Sequence, residues 1–218
     1  MAAPGALPTH HPSDERLLDY ASGAAPEPLA LLVATHLALC PLCRRTAREL
    51  ETLGGVLLEG AAAVPLAEGS LEQMLARLDQ PVAQPAAAPA GDPSLPQPLR
   101  GYLGGGLDCL PWRRLGPIAE ARLLPAFKGF TTRLLWVQAG AAVPAHTHDG
   151  SELTLVLRGA FSDAGGHFAR GDVEEADGSV DHRPVADPGE DCICLAVTDA
   201  PLKLTGRLGR LLNPFVRI

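Results

Sequence analysis

The stretch His146-Thr-His-Asp-Gly-Ser-Glu-Leu-Thr-Leu-Val-Leu157 places three potential metal ligands just before a strand-like apolar run. His146 and His148 alternate along an extended segment, so both side chains point to the same face. Asp149-Gly150 predicts a turn, after which Glu152 can return to that interior at the start of the run. The spacing therefore predicts that His146, His148 and Glu152 face the same interior of a β structure.

The sequence after residue 98 is typical of a small antiparallel β fold. Residues 131–138 and 192–197 are further short strand-like runs, and Gly and Asp clusters separate them. The chain contains 23 Gly and 21 Pro, a content that favours turns and short strands over long helices. We therefore expect a sandwich or barrel here.

The first 80 residues predict helices instead. Ser13 can cap a first helix that ends before Gly23, and Pro28 fits the first turn of a second helix through Leu39. Pro41 starts a third, which Gly54-Gly55 should end, and another follows Ser70. Residues 81–98 contain six prolines in eighteen positions and predict a semi-extended linker. The predicted organisation is an α + β chain of two domains, 1–80 and 99–218, joined by 81–98.

The spacing His36-x3-Cys40-x2-Cys43 gathers three soft or borderline ligands around the end of the second helix. Zinc takes four such ligands in a tetrahedron, and His10 or His11, just before the first helix, can supply the fourth. A closed site of this kind is structural and would tie the short helices together. Two alternatives are a redox dithiol and a cysteine pair buried as small apolar side chains.

Charge and composition exclude several classes of function. The net charge of −7 and the low aromatic content of 4% disfavour direct nucleic-acid binding. No basic residue precedes Arg16 and no apolar run is long enough for a membrane span, so we expect a cytoplasmic protein without a signal peptide. Residues 1–85 carry ten acidic side chains and five arginines, an excess that suits a basic protein partner.

The spacing from Gly140 through the two histidines and Glu152 to Gly159 resembles the first signature of cupin barrels, and Gly171-x10-His182 resembles the second. The resemblance implies a β-barrel, or jelly roll, in which His146, His148, Glu152 and His182 hold a divalent metal. Zinc is the first expectation, and iron, manganese or nickel also suit three nitrogens and one oxygen.

Both motifs in this order resemble the ChrR-type anti-sigma factors, which join a zinc-binding helical domain to a cupin domain. The resemblance implies a regulator that sequesters an extracytoplasmic-function sigma factor and responds to photo-oxidative stress such as singlet oxygen. It implies His11, His36, Cys40 and Cys43 as zinc ligands, with His10 the alternative to His11. We expect apolar helix faces to contact the sigma factor, through Leu17, Leu29, Leu32 and Val33.

The rival hypothesis is a metal-dependent cupin enzyme, a dioxygenase or isomerase, with an accessory helical domain. An enzyme needs an acid or base besides the metal ligands. Glu174, Glu175 and Asp177 are near His182 in sequence, but an acidic loop is expected to be solvated, so no catalytic residue is assigned. A third hypothesis is a thiol redox sensor at Cys40 and Cys43.

Overall fold

The computed structural model describes residues 7–78, 80–81 and 91–206. We call residues 7–78 the helical half and residues 91–206 the β half. The helices are α1 (Asp14–Ala21), α2 (Glu27–Leu39), α3 (Pro41–Glu59), α4 (Ser70–Leu78) and α5 (Gln97–Leu103). The strands are β1 (Arg113–Leu115), β2 (Ile118–Leu123), β3 (Thr131–Val137), β4 (His146–His148), β5 (Glu152–Arg158), β6 (Ala160–Ser162), β7 (His167–Ala169), β8 (Val173–Ala176), β9 (Val185–Ala186), β10 (Cys192–Thr198) and β11 (Leu202–Leu204).

The predicted order of helices first and antiparallel strands second is confirmed. Pro28 lies in the first turn of α2 and Pro41 opens α3, as their missing N–H groups allow. The predicted end of α3 at Gly54-Gly55 is wrong, because the helix continues to Glu59. A glycine inside a helix costs only about 1 kcal/mol relative to alanine, so two of them weaken a long helix without ending it.

The β half is built on a six-stranded antiparallel sheet in the order β1-β2-β3-β10-β5-β8. A three-stranded sheet, β7-β6-β9, and the pair β11-β4 complete the fold. At the centre of the large sheet, Leu195 of β10 lies opposite Leu134 of β3 and Leu155 of β5.

The two faces of the large sheet have different neighbours. Along β5, Leu153, Leu155 and Leu157 face the helices, while Glu152 and Thr154 line an internal cavity. The period of two along a strand produces this division, and it explains why β5 is buried along almost its whole length.

The helical half shares its core with the β half. Leu29, Leu31 and Leu32 of α2 belong to the same buried cluster as the leucines of β5 and β10, and Leu99 of α5 joins them. Val33, on another side of α2, packs in a separate cluster with α1 and α3. A helix that is apolar on all sides is normally buried, and α2 is buried between the sheet and the other helices.

The predicted linker 81–98 includes residues 82–90, which lie outside the described residues. Leu95 is buried in the shared core, and α5 begins at Gln97, so the end of this segment is packed against the fold. Among the described residues, no helix is both long and apolar enough to cross a bilayer.

Candidate metal centres

Four side chains of the helical half converge at the junction between α2 and α3. His36 lies in the last turn of α2, Cys40 in the extended residue between the helices, and Cys43 in the first turn of α3. His11 reaches them from just before α1. One ligand atom from each of the four lies within 4.8 Å of the others. We call this set the helical cluster.

Pro41 explains how the spacing produces the cluster. It cannot continue α2 with an N–H, so the chain leaves helical geometry at Cys40 before α3 starts. The thiol of Cys40 then accepts the N–H of Cys43 at 3.5 Å, in the place of a helix cap. The two thiols are therefore held on the same side of the junction.

The chemistry of the helical cluster fits a metal ion. His36 Nδ1 donates to the carbonyl oxygen of Gly171 at 2.8 Å, which leaves the lone pair on Nε2. Nε2 is buried and has no hydrogen-bond partner within the described residues. An orphaned acceptor beside two thiols is costly unless a cation occupies the space between them.

Burial sets the protonation of these groups in the metal-free molecule. It lowers the pKa of His36 to about 4, so the imidazole is neutral and ready to bind a metal. Burial, followed by the neighbouring Cys40, raises the pKa of Cys43 to about 12. That thiol keeps its proton until a cation stabilises the thiolate.

His10 and His11 have different surroundings. The Nδ1 of His11 lies 3.6 Å from the Sγ of Cys40, and its ring meets the edge of the His36 ring. The ring of His10 instead lies 4.5 Å from that of Phe168, beside the carboxylate of Asp172. The structure therefore brings His11, and not His10, to the cysteines.

A second cluster lies inside the β half, where His146 and His148 of β4, Glu152 of β5 and His182 converge. We call it the β cluster. The Nε2 of His182 lies 3.1 Å from that of His146 and 3.4 Å from that of His148. The Oε2 of Glu152 lies 3.6 Å from His148 Nε2. All four side chains are buried.

The hydrogen bonds at Nδ1 orient two imidazoles of the β cluster so that their Nε2 atoms can bind a cation. His146 Nδ1 donates to the carbonyl oxygen of Pro144 at 2.8 Å, and His182 Nδ1 faces Asp163 Oδ2 at 2.7 Å. When both rings are neutral, these hydrogen bonds put the proton on Nδ1, and the Nε2 lone pairs point at each other. A divalent ion between them would turn this repulsion into coordination.

The acids around His182 perturb its protonation in the absence of a metal. Burial alone would lower the pKa of His182, but its hydrogen bonds to Glu174 and Asp163 raise that pKa to about 9. Burial also raises the pKa of Glu174. Without a metal, His182 is therefore protonated, and a metal ion that binds to Nε2 must displace the proton from that nitrogen.

Three functional neighbours of the β cluster were missed or misjudged from the sequence. Glu174, predicted to be solvated, is buried beside His182, whereas Glu175 and Asp177 are exposed as predicted. Arg133, which is 2% exposed, pairs with Glu152 Oε1 at 3.3 Å, and Asp163 holds His182. The alternation of strand β8 was the available signal for Glu174. Asp163 and Arg133 come from distant strands and loops, and the sequence contains no signal for them.

The β cluster lies in the wall of a cavity of about 660 Å³. Most of the lining is apolar, from residues such as Leu135, Val137 and Phe161. His146, Glu152 and His182 face this space. A cation held in the β cluster would therefore keep one side that is accessible from the cavity.

The four side chains predicted to contact a partner are buried within the chain. Leu17 and Val33 pack in the core of the helical half, and Leu29 and Leu32 pack in the core shared with the sheet. In this conformation they do not present a surface, because α2 is covered on more than one side. The helical half instead exposes apolar side chains along the second half of α3 and on α4: Leu53, Val56, Leu57, Leu58, Leu71, Met74, Leu75 and Leu78.

Comparison with known proteins gives consistent results over both halves. The family model of the ChrR cupin-like domain matches residues 106–201. The chain is 48% identical over 209 residues to the anti-sigma-E factor ChrR of Cereibacter sphaeroides, covering 96% of this chain and 98% of that protein. The crystal structure of Rhodobacter sphaeroides SigE in complex with the anti-sigma ChrR matches with a TM-score of 0.80 at 47% identity, covering 88% of this chain and all of the matched chain.

Proposed function

Because this chain belongs to the ChrR family of anti-sigma factors, we propose that it sequesters an extracytoplasmic-function sigma factor in the cytoplasm and releases it on a signal. The protein is a regulator rather than an enzyme. The observation that carries the proposed mode of binding is the exposed apolar surface on α3 and α4. The signal is received by the cupin half and is photo-oxidative, as the family resemblance implies.

The surface that docks the sigma factor is formed by the exposed leucines, Val56 and Met74 of α3 and α4, which we call the α3–α4 face. Leu57, Leu58 and Leu78 are each at least 70% exposed. Four large apolar side chains, Leu53, Val56, Leu57 and Leu58, are exposed within six residues of α3, and exposed apolar patches of this kind mark binding sites. Amphipathic helices bind partners by laying such a face into an apolar groove.

The charges next to this face indicate the type of partner. Glu49, Glu51, Glu59, Glu68 and Glu72 lie on α3, on α4 or between them. Opposite charges around an apolar centre steer association and select among partners. The same helices also carry Arg44, Arg45, Arg48 and Arg77, so the attraction for the basic surface of a DNA-binding sigma factor comes from the acidic excess of residues 1–85 as a whole.

The metal of the helical cluster is zinc in this proposal. Two thiolates and two imidazoles are its preferred ligands, and a closed set of four is structural. Bound there, zinc supplies cross-linking energy without a reactive position. His11, His36, Cys40 and Cys43 then fix α1, α2 and α3 relative to each other, and this arrangement orients α3 for the partner.

The β cluster holds a divalent ion with His146, His148, Glu152 and His182. Zinc is the first candidate, and iron, manganese or nickel also suit this ligand set. When bound, the ion offers a Lewis-acidic position to the cavity. Arg133 holds one oxygen of Glu152 through the ion pair, so the other oxygen faces the histidines. This accessible site is where the cupin half receives its signal.

The proposal is tested by binding between the full chain and the sigma factor encoded with it. We expect Leu57→Glu and Leu75→Glu each to weaken the complex tenfold or more, because losing an anchor side chain of an interface costs about 2 kcal/mol or more. Leu115→Glu is the matched control, since Leu115 is 72% exposed on β1, far from the α3–α4 face in the sequence. A stable chain that binds no sigma factor, or equal effects of the three substitutions, would contradict the proposal.

A further inference from the structure

The segment that carries His11 is bound to the β half. The carbonyl oxygen of His10 accepts the N–H of Val173 at 3.1 Å. The carboxylate of Asp172 accepts the N–H groups of Thr9 and His10 at 2.6 and 2.9 Å. Two residues after His11, the N–H of Ser13 donates to Glu175 at 2.9 Å. We call residues 9–13 together with residues 171–175 the clasp.

The clasp also reaches a second member of the helical cluster. His36 is in α2, yet its Nδ1 donates to the carbonyl oxygen of Gly171 at 2.8 Å. Hydrogen bonds from the second ring nitrogen to a carbonyl orient a metal-binding histidine and fix its tautomer. The orientation of both histidines of the helical cluster therefore depends on four residues of the β half: Gly171, Asp172, Val173 and Glu175.

Gly171 allows this close approach. Its φ is +96°, a conformation that strains any other residue. A Cβ atom at this position would lie 2.7 Å from Cγ of Pro8. Any side chain would therefore push the helical half away from the loop that holds His36.

The other end of the clasp touches the β cluster. Glu174 is the second residue of β8, and its Oε1 lies 3.1 Å from Nδ1 of His182. Asp172 and Glu174 are two residues apart, and both are buried. One short stretch of chain therefore contacts the segment of His11 at one point and the ring of His182 at the next.

We propose that the clasp is a shared support for both metal centres, so that loading of the β cluster strengthens metal binding at the helical cluster. Asp172 and Gly171 are positioning residues for His11 and His36. A metal in the β cluster fixes His182, and with it Glu174 and β8. Linkage makes the effect reciprocal, because each site must favour the other by the same factor. This inference rests on the proposed function only in making the helical cluster the site to be regulated.

Cobalt substitution reports the helical cluster separately. Thiolate-to-cobalt charge transfer absorbs in the near ultraviolet, and the β cluster contains only nitrogen and oxygen ligands. The affinity of the full chain for Co²⁺ is measured from this band in competition with a chelator. We expect Asp172→Asn to weaken cobalt binding tenfold or more, the usual range for a residue that supports a ligand. Asp191→Asn is the control, because Asp191 also accepts a backbone N–H, from Ala139, outside the clasp.

A glycine pair tests the close approach. Gly171→Ala should weaken cobalt binding, whereas Gly189→Ala should not. Both positions have a positive φ, but a Cβ at Gly189 meets nothing within 4 Å of the described structure. Equal cobalt affinities for Asp172→Asn, Gly171→Ala and the unmodified chain overturn the role of the clasp.

The coupling is tested with His148→Ala, which removes a ligand of the β cluster and lies outside the clasp. We expect cobalt affinity at the helical cluster to fall about fivefold or more, a common size for coupling between sites. In the Asp172→Asn background the same substitution should have little effect. An unchanged affinity after His148→Ala overturns the coupling.

Hydrogen exchange on the unmodified chain covers the case in which a variant does not fold. The amides of His10 and Val173 should exchange faster when the β cluster is emptied by a chelator while the helical cluster stays loaded, and unchanged exchange overturns the coupling. Neither readout needs the sigma factor. A chain that binds no sigma factor but shows the coupling contradicts only the proposed function, and the reverse result contradicts only this inference.

Discussion

The Nδ1 of His182 lies 2.7 Å from Oδ2 of Asp163, and both side chains are almost fully buried. The carboxylate orients the ring so that Nε2 faces the β cluster, and its charge increases the electron density on that nitrogen. We expect Asp163→Asn to lower the affinity of the β cluster for Zn²⁺ about tenfold, as measured by competition with a chelator.

The matched control for Asp163 is the exposed pair of His167 and Asp187. Their side chains lie 2.9 Å apart at the surface, away from both clusters. Asp187→Asn should leave both metal affinities unchanged. A loss of metal in this variant, or none in Asp163→Asn, would show that the buried pair does not support the cluster.

Removing a thiol from the helical cluster should release one zinc ion per chain. Serine is a far weaker zinc ligand than cysteine, so Cys40→Ser and Cys43→Ser should retain only the metal of the β cluster. Sigma-factor binding should be lost with it, because the metal fixes α3 relative to α1. Cys109→Ser is the control, since Cys109 is exposed and outside both clusters. Metal content measured by elemental analysis decides between these outcomes.

Acid should destabilise the metal-free chain through His36. Its pKa is about 4 in the folded state and 6.5 when unperturbed. The unfolded state binds more protons between these values, so stability is fully present above pH 6.5 and is lost as the pH falls towards 4. The loss is about 3 kcal/mol at roughly 1.4 kcal/mol per pK unit.

The variant that isolates this effect is His36→Asn. The asparagine amide can still donate to Gly171, but it does not titrate. In urea unfolding of chelator-treated protein, the unmodified chain should lose more stability between pH 6.5 and pH 4 than the variant does. Identical pH dependence would mean that His36 is not buried in its neutral form.

Leu32→Ala should destabilise the whole chain rather than weaken partner binding alone. Leu32 is completely buried in the core that α2 shares with β5 and β10. Deleting such a side chain costs about 3 kcal/mol in transfer and cavity terms. Thermal unfolding followed by circular dichroism tests this, with the exposed Leu18→Ala as control. A variant of unchanged stability that fails to bind the sigma factor would restore Leu32 as a contact residue.

The convergence of most side chains in the two clusters could be predicted because it depends on short spacings. His36, Cys40 and Cys43 are held by one helix junction, and His146 and His148 by one strand, so local geometry brings them together. The choice of His11 over His10, and the ligand His182, required the family resemblance. Local periodicity contains no information about a contact across 163 residues, such as that of Thr9 with Asp172.

The burial of the predicted contact residues could not be inferred from periodicity, because an apolar helix face does not reveal what covers it. Leu29 and Leu32 were predicted to contact a partner, but leucines of the β half of the same chain pack against them. The exposed Val56, Leu57 and Leu58 of α3 follow Gly54-Gly55, where the helix was expected to stop. The sequence therefore predicted an apolar contact with a partner through residues that are buried within the chain in this conformation.

The packing of α2 constrains how a signal can change the molecule. Leu29, Leu31 and Leu32 pack in the core shared with the sheet, and Val33 and Leu37 pack against α1 and α3. The apolar surface of α2 is therefore covered on both of these sides. If the two halves moved apart, the apolar surface of α2 would be exposed to water, and the free energy of that exposure opposes such a movement. We expect activation to proceed by subtle sliding and reorientation within a closed molecule, without a free hinge.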